Sequence, residues 1–337
     1  MKHQMGVLSD LRRGRFAAAA LAAGFLVAAV PARADAITLA EADTLTGENL
    51  VQLVALAWAK ERGVDAEIVS LKSDDIVFQA VLNGQIDIGI GSAYAAQQTL
   101  GDSPVRNFYQ LRRLAYFPVV DKTKYDSWDD LDGQVITVHA RGSGTEAIAK
   151  FIESVQGIKF SEMSFVPGSE VRAVAMRRGT IDATFLDITN TRLLLEEDPD
   201  RFALLPLGDA TASDSILYAR TDFLEENAEA VQIILEELMR VAKEFNEDPT
   251  LPAKLREEYG LLPDLPQEMV DEITPYFETA TEAQLFPEDG GGEAAAKGDI
   301  AFLTSSGAMT GTPEEIDVSL FWTFDLIEKA KAALSTN

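Results

Sequence analysis

The chain has 337 residues, 47% of them hydrophobic, and carries 55 Asp and Glu against 29 Lys and Arg, a formal charge of −26. So acidic a surface repels nucleic acid and anionic lipid, which excludes both as expected partners. There is no cysteine, and the histidines are His3 and His139, so disulfides, thiolate nucleophiles, Cys/His zinc sites and Ser-His-Asp triads lose their parts; no catalytic residue, metal or cofactor is expected.

The N-terminus reads as a secretion signal. Lys2, Arg12, Arg13 and Arg15 form a basic region, residues 16–30 carry no charge, and Ala32-Arg33-Ala34 is a small-x-small cleavage site. The apolar run is shorter than the roughly 20 residues a membrane span needs. Arg12-Arg13 lacks the spacing of a twin-arginine signal, and no cysteine follows for lipid attachment. The expectation is cleavage near Ala34 and a periplasmic protein. Removing residues 1–34 takes five basic and one acidic side chain, which moves the formal charge from −26 to −30.

Residues 37–41 predict a strand, Thr44-Leu-Thr-Gly47 a turn, and 49–62 an amphipathic helix with Leu50, Leu53, Val54, Ala57 and Trp58 on one face. A strand over 66–71 follows, then Ser73 as a helix cap and a helix over 74–82. Asn83-Gly84 turns into a buried strand over 86–90, and Gly91-Ser92-Ala93 leads to another helix toward Leu100. This βαβαβ order signals a parallel sheet with helical crossovers.

Residues 108–120 read as one extended crossing. The pattern then restarts, with strand 135–139, helix 145–155, strand 163–166, helix 170–178, a buried strand ending at Asp187, helix 188–196 and strand 202–207. Gly179-Thr-Ile-Asp-Ala-Thr-Phe-Leu-Asp187 echoes Gly84-Gln-Ile-Asp-Ile-Gly-Ile-Gly-Ser92. Residues 215–220 read as a return crossing and 228–245 as a long helix. Beyond Pro249 the chain reads as helical with proline punctuation. Glu288-Asp-Gly-Gly-Gly292 reads as a flexible surface loop, Thr312-Pro-Glu-Glu315 as a helix start, and 320–334 as the last helix.

The stretch that carries most chemistry is His139-Ala-Arg-Gly-Ser-Gly-Thr145, a strand-to-helix turn. Small residues let a ligand approach the backbone, free N–H groups of the first helical turn favour an anion, and Arg141 adds a guanidinium fork. Ser143, Gly144 and Thr145 are either part of this cradle or plain cap and loop.

The order of elements, together with Asn83-Gly-Gln-Ile-Asp-Ile-Gly-Ile-Gly-Ser92, Asp129-Asp-Leu-Asp-Gly133, Arg178-Gly-Thr-Ile-Asp-Ala183 and Tyr218-Ala-Arg-Thr-Asp-Phe-Leu-Glu-Glu-Asn227, resembles the nitrate/sulfonate/taurine/thiamine-pyrimidine group of ABC-transporter solute-binding proteins. The resemblance spans about 37–334. It implies a type II periplasmic-binding-protein fold: two α/β lobes, two crossing segments and a ligand cleft between the lobes. Lobe one would comprise 35–121 and 218–337, and lobe two 122–217. The crossings would lie near 117–122 and 206–218. The partners implied are a small-molecule ligand and the membrane permease of an ABC importer, with the binding protein a monomer and not an enzyme.

Ligands of open α/β sheets sit beyond the carboxyl ends of strands. That rule selects Thr44, Thr46, Ser73, Ser92, Ala93 and Tyr94 in lobe one, and His139, Arg141, Ser143, Gly144, Thr145 and Asp187 in lobe two; Phe185, which precedes Asp187 at the end of a buried strand, joins the candidates, with Phe117 as a cleft wall. For several a local role competes: capping for Thr46, Ser73 and Asp187, packing for Tyr94 and Phe117, and a strand end for His139. Arg141 with Asp187 would suit taurine or another amino-sulfonate; Tyr94 and Phe117 would suit a planar nitrogen heterocycle. The other readings are a receptor-coupled sensor, a tripartite-type carrier, and an enzyme on the same scaffold akin to a thiamine-pyrimidine synthase. The last needs His and Cys equipment that this chain lacks. A permease and an ATPase encoded next door would favour transport over sensing.

Overall fold

Strand β1 (Ile37–Glu41) lies at the centre of three parallel strands, paired with β2 (Ala66–Ser70) on one side and β3 (Ile88–Gly91) on the other. The structure is a computed structural model that describes residues 36–42, 44–71, 73–92, 103–141, 143–206, 212–307 and 309–335. The leader and the expected cleavage at Ala34 fall outside the described residues, as do Ala93, Tyr94 and the helix expected toward Leu100.

Two five-stranded sheets organise the chain. The first has the order β2-β1-β3-β10-β4, with β4 Val105–Arg113 and β10 Ser213–Arg220. The second has the order β7-β6-β8-β5-β9, with β5 Phe117–Asp121, β6 Val135–Val138, β7 Glu162–Phe165, β8 Ala183–Leu186 and β9 Phe202–Leu204. The orders superimpose: β8 stands where β3 stands, which is the echo visible in the sequence. In each sheet the fourth strand, β10 or β5, runs antiparallel to the third.

The extended run expected over 108–120 is therefore two strands in two sheets. β4 pairs with β10, β5 pairs with β8 and β9, and the break falls at 114–116. Residues 117–121, assigned to lobe one from the sequence, belong to the second sheet. Residues 213–217, assigned to lobe two, belong to the first. A contiguous apolar run does not say where its partners lie; pairing with strands about 65 to 110 residues away does.

Close packing explains the small residues in β3. A Cβ on Gly89 would lie 2.2 Å from the ring of Tyr218, which is fully buried against the strand. The glycine run expected as a loose surface loop is also packed. Gly290, at φ 64°, accepts the Gln110 backbone N–H at 2.9 Å, and a Cβ there would meet Tyr109 at 2.4 Å. Behind it comes a helix not resolved in the sequence reading, Gly292–Ser305, which joins both halves. Its Ala295, Ala296 and Ile300 pack with Val77, Ile216 and Tyr218 of the first sheet's core, while Phe302 and Leu303 pack with Ile148 and Ile152 of the second. Near the C-terminus, Thr312-Pro-Glu-Glu315 forms a 3-10 turn at Pro313–Glu315, and the last helix runs Asp325–Ser335. Among the described residues no helix is long and apolar enough to cross a membrane.

Candidate functional site: the cleft between the sheets

The segments that follow β3 and β6 meet at the region where the chain passes between the sheets. A cavity of about 40 Å³ opens there. One wall comes from Ser92 at the end of β3, Leu114 and Tyr116 in the first passage, and Ser213 and Asp214 at the start of β10. The other comes from Gly144 and Ala147 in the helix after β6 and from Asp299, Phe302 and Leu303 in the bridging helix.

Asp299 is 1% exposed. It accepts the Ser213 backbone N–H at 2.6 Å and the Ser213 hydroxyl at 3.0 Å, and Ser213 Oγ accepts Gln110 Nε2 at 2.8 Å. Burial pushes the Asp299 carboxyl up to about 7, even though both Ser213 donors pull the other way. Beside the cleft, Arg112 at the end of β4 approaches Asp214 and Glu48, each at 3.4 Å. Burial alone would lower its pKa, but Asp214, then Tyr276, Glu41 and Glu48 raise it. Glu48 is itself held above the usual carboxylate range by burial, against Arg112 and with the charges of Asp187, Asp214 and Glu41 adding to the rise. Burial likewise raises the Tyr116 hydroxyl. Glu41 at the end of β1 is buried and accepts Asn49 Nδ2 at 2.7 Å and Gln52 Nε2 at 3.1 Å.

Of the residues expected at the site, the structure brings Ser92 and Gly144 to this cleft. Ser92 N–H reaches toward Asp74 Oδ1 at 3.4 Å. Thr44 is exposed; Thr46 donates its backbone N–H to Asn49 Oδ1 at 2.7 Å, and Ser73 sits at the cap of helix Asp74–Leu82. The Gly-Ser-Gly-Thr turn uses its hydroxyls internally. Ser143 donates to the Ala140 carbonyl at 2.7 Å and accepts Glu146 N–H at 3.3 Å, while Thr145 Oγ1 accepts His139 N–H at 2.8 Å. Arg141 is exposed and stacks over Phe165 with its guanidinium carbon 4.6 Å from the ring centroid. His139 Nδ1 accepts Gly168 N–H at 3.1 Å.

Three expectations are corrected. Phe185 is fully buried in the second core, because a residue inside a four-residue strand covered on both faces has no path to the cleft. Phe117 lines a different groove, with Ile188, Thr191 and Pro275. Asp187 caps helix Ile188–Glu197, accepting Asn190 N–H at 2.8 Å and Asn190 Nδ2 at 2.9 Å; its field still reaches Glu48 and Tyr116.

Tyr116, Ser213, Asp214 and Asp299 line the cleft without a sequence motif that points to them. Arg172 is 1% exposed and donates to the Phe185 carbonyl through Nε at 3.2 Å and Nη2 at 2.9 Å, and to the Val166 carbonyl at 2.9 Å. For Asp299 a signal existed: an acid within Ala-Ala-Ala-Lys-Gly-Asp-Ile-Ala-Phe-Leu, at a position that helical spacing places among apolar residues.

The model of the family described as NMT1/THI5 like matches residues 54–250, more than half of the chain. The chain belongs to that family. Among solved structures, a Bordetella bronchiseptica RB50 protein is similar at 19% identity and a TM-score of 0.64, covering 90% of this chain and 99% of that one. A putative periplasmic sulfonate-binding protein SsuA from Methylobacillus flagellatus KT is similar at 17% identity and a TM-score of 0.60, with 89% and 94% covered. The periplasmic nitrate-binding protein NrtA from Synechocystis PCC 6803 gives 12% identity and a TM-score of 0.60, with 90% and 89% covered. At these identities the likeness concerns the fold, which is that of the periplasmic binding proteins. No curated protein sequence matches the chain.

Proposed function

We propose that this protein is the periplasmic solute-binding component of an ABC importer, holding a small polar organic solute between its two sheets and handing it to a membrane permease without chemistry. The observation that carries this reading is the composition of the cleft: one small cavity is lined by residues at the end of β3 and the start of β10, by the passage at Leu114 and Tyr116, by the helix after β6 and by the bridging helix. A solute bound there can join two halves without altering either fold, and the passage at 114–116 supplies a hinge. Family membership and the binding-protein fold support it.

The sulfonate- or taurine-like cargo suggested by Arg141 loses support from the stacking of that guanidinium on Phe165 and from the internal bonding of Ser143 and Thr145. A nitrogen-bearing solute is favoured by the carboxylates that line the cleft. The test combines thermal-shift screening against small organic solutes with small-angle scattering. A ligand at about 100 times its dissociation constant raises stability by about 2.7 kcal/mol and should contract the protein. Stabilisation by no small solute, or turnover of the bound compound, would sink the proposal.

A further inference from the structure

We infer that the solute carries a protonated amine or amidinium-type cation seated between the carboxylates of Asp214 and Asp299. This rests on the solute-binding reading of the cleft and narrows it to a chemical class. Among the residues that line the cavity, the charged ones are these two, and both are acids. Asp299 is buried at 1% exposure, and the donors that reach it, the Ser213 N–H and hydroxyl, are both neutral. No ion pair joins it to a Lys, Arg or His among the described residues. A carboxylate accepts about four hydrogen bonds, so two donors leave acceptor capacity on a group that already lines the cleft. An ionised carboxylate buried without a counter-charge is costly. In the empty cleft a proton fills that need, in keeping with burial raising this carboxyl to about 7. A cationic ligand group would fill it instead.

The arginines near the cleft are already engaged. Arg112 is held by Glu48 and Asp214, Arg172 by the Phe185 and Val166 carbonyls, and Arg141 by the Phe165 ring. An anion entering the cleft would meet Asp299, which no guanidinium among the lining residues offsets, while the nearby Arg112 is already held by Asp214 and Glu48. Leu114, Ala147, Phe302, Leu303 and the Tyr116 ring add apolar and aromatic surface to the lining, suited to the carbon skeleton of an organic cation.

The test is calorimetric titration of the purified protein with matched probes: ethanolamine and butylamine as cations, isethionate and butane-1-sulfonate as anions, and taurine as the zwitterion. The expected result is that the amines bind and the two anions do not. Binding near neutral pH should release protons, read as a buffer-dependent heat, and should tighten from about pH 6 to about pH 8 as Asp299 ionises. Asp299→Asn should weaken amine binding on the order of thirtyfold and abolish the proton release. Asp214→Asn, on the rim of the cavity, should weaken it as well, and a cooperative melt of each variant establishes that it is folded. Sulfonates binding while the amines stay silent would overturn the inference and leave the solute-binding reading standing. Silence from every amine would also overturn it, and the broad screen with scattering then decides the solute-binding reading separately. Unchanged amine affinity in a folded Asp299→Asn protein would overturn it too.

Discussion

The turn after β6 and the wall made by Ser213, Asp214 and Asp299 meet at the same cleft with opposite chemistry. The turn has the parts of an anion cradle, an arginine, two hydroxyls and a helix N-terminus, yet Ser143 and Thr145 are spent on closing it and Arg141 lies on Phe165. The wall has no cradle signature in the sequence, yet it presents two carboxylates to the cavity, one of them buried without a cationic partner. Residue types that can bind an ion do so only where the fold leaves their bonding capacity open. A short polar turn tends to consume its own, because its donors and acceptors are within reach of one another.

The widest separation between these regions should appear with pH. Asp299 has a folded pKa near 7, above the ordinary carboxylate value of the unfolded chain. The folded protein therefore keeps a proton that the unfolded chain releases. The stability that proton contributes is full below the unfolded value and lost as pH rises through about 7, by about 4 kcal/mol at most. Urea unfolding across that range should show the decline, and Asp299→Asn should flatten it; an identical slope in the variant would break the contrast.

Arg172→Met comes next, at about 3 kcal/mol of destabilisation, since it strips three donors from two carbonyls in the interior. Ser143→Ala should cost about 1 kcal/mol through loss of the helix cap, without changing which class of solute binds. Arg141→Ala should cost about 0.5 kcal/mol, the worth of an exposed cation–π contact, and leave solute affinity within about twofold. A tenfold loss of affinity in that last variant, measured by titration, would restore the turn as the ligand cradle.

Local pattern made much of the first sheet legible. Helix Asp74–Leu82 starts after Ser73 and ends at the Asn83-Gly84 turn, as the sequence suggests, although the Ser73 side chain makes no capping bond, and β1 and β2 follow the apolar runs that bracket the first helix. The site was less legible. Ser92 and Gly144, selected by the rule that ligands sit past strand ends, line the cleft, while Phe185 lies in the core because all four residues of its strand are covered on both faces. Asp299 was missed because an acid in a helix reads as solvated until its neighbours are known.

By itself the sequence determined the βαβαβ order that opens the chain, the echo between 84–92 and 179–187, and the family, since all three rest on periodicity and motifs within short windows. Only the tertiary structure decided where the chain changes sheets and which charges face the cleft. β4 and β5 are nearly continuous in sequence, and their separation depends on pairing with β10 and β8. Asp299 and Ser213 lie 86 residues apart, and their hydrogen bonds exist only because the bridging helix wedges against both cores. Such contacts follow from packing between distant elements, and no local pattern encodes them.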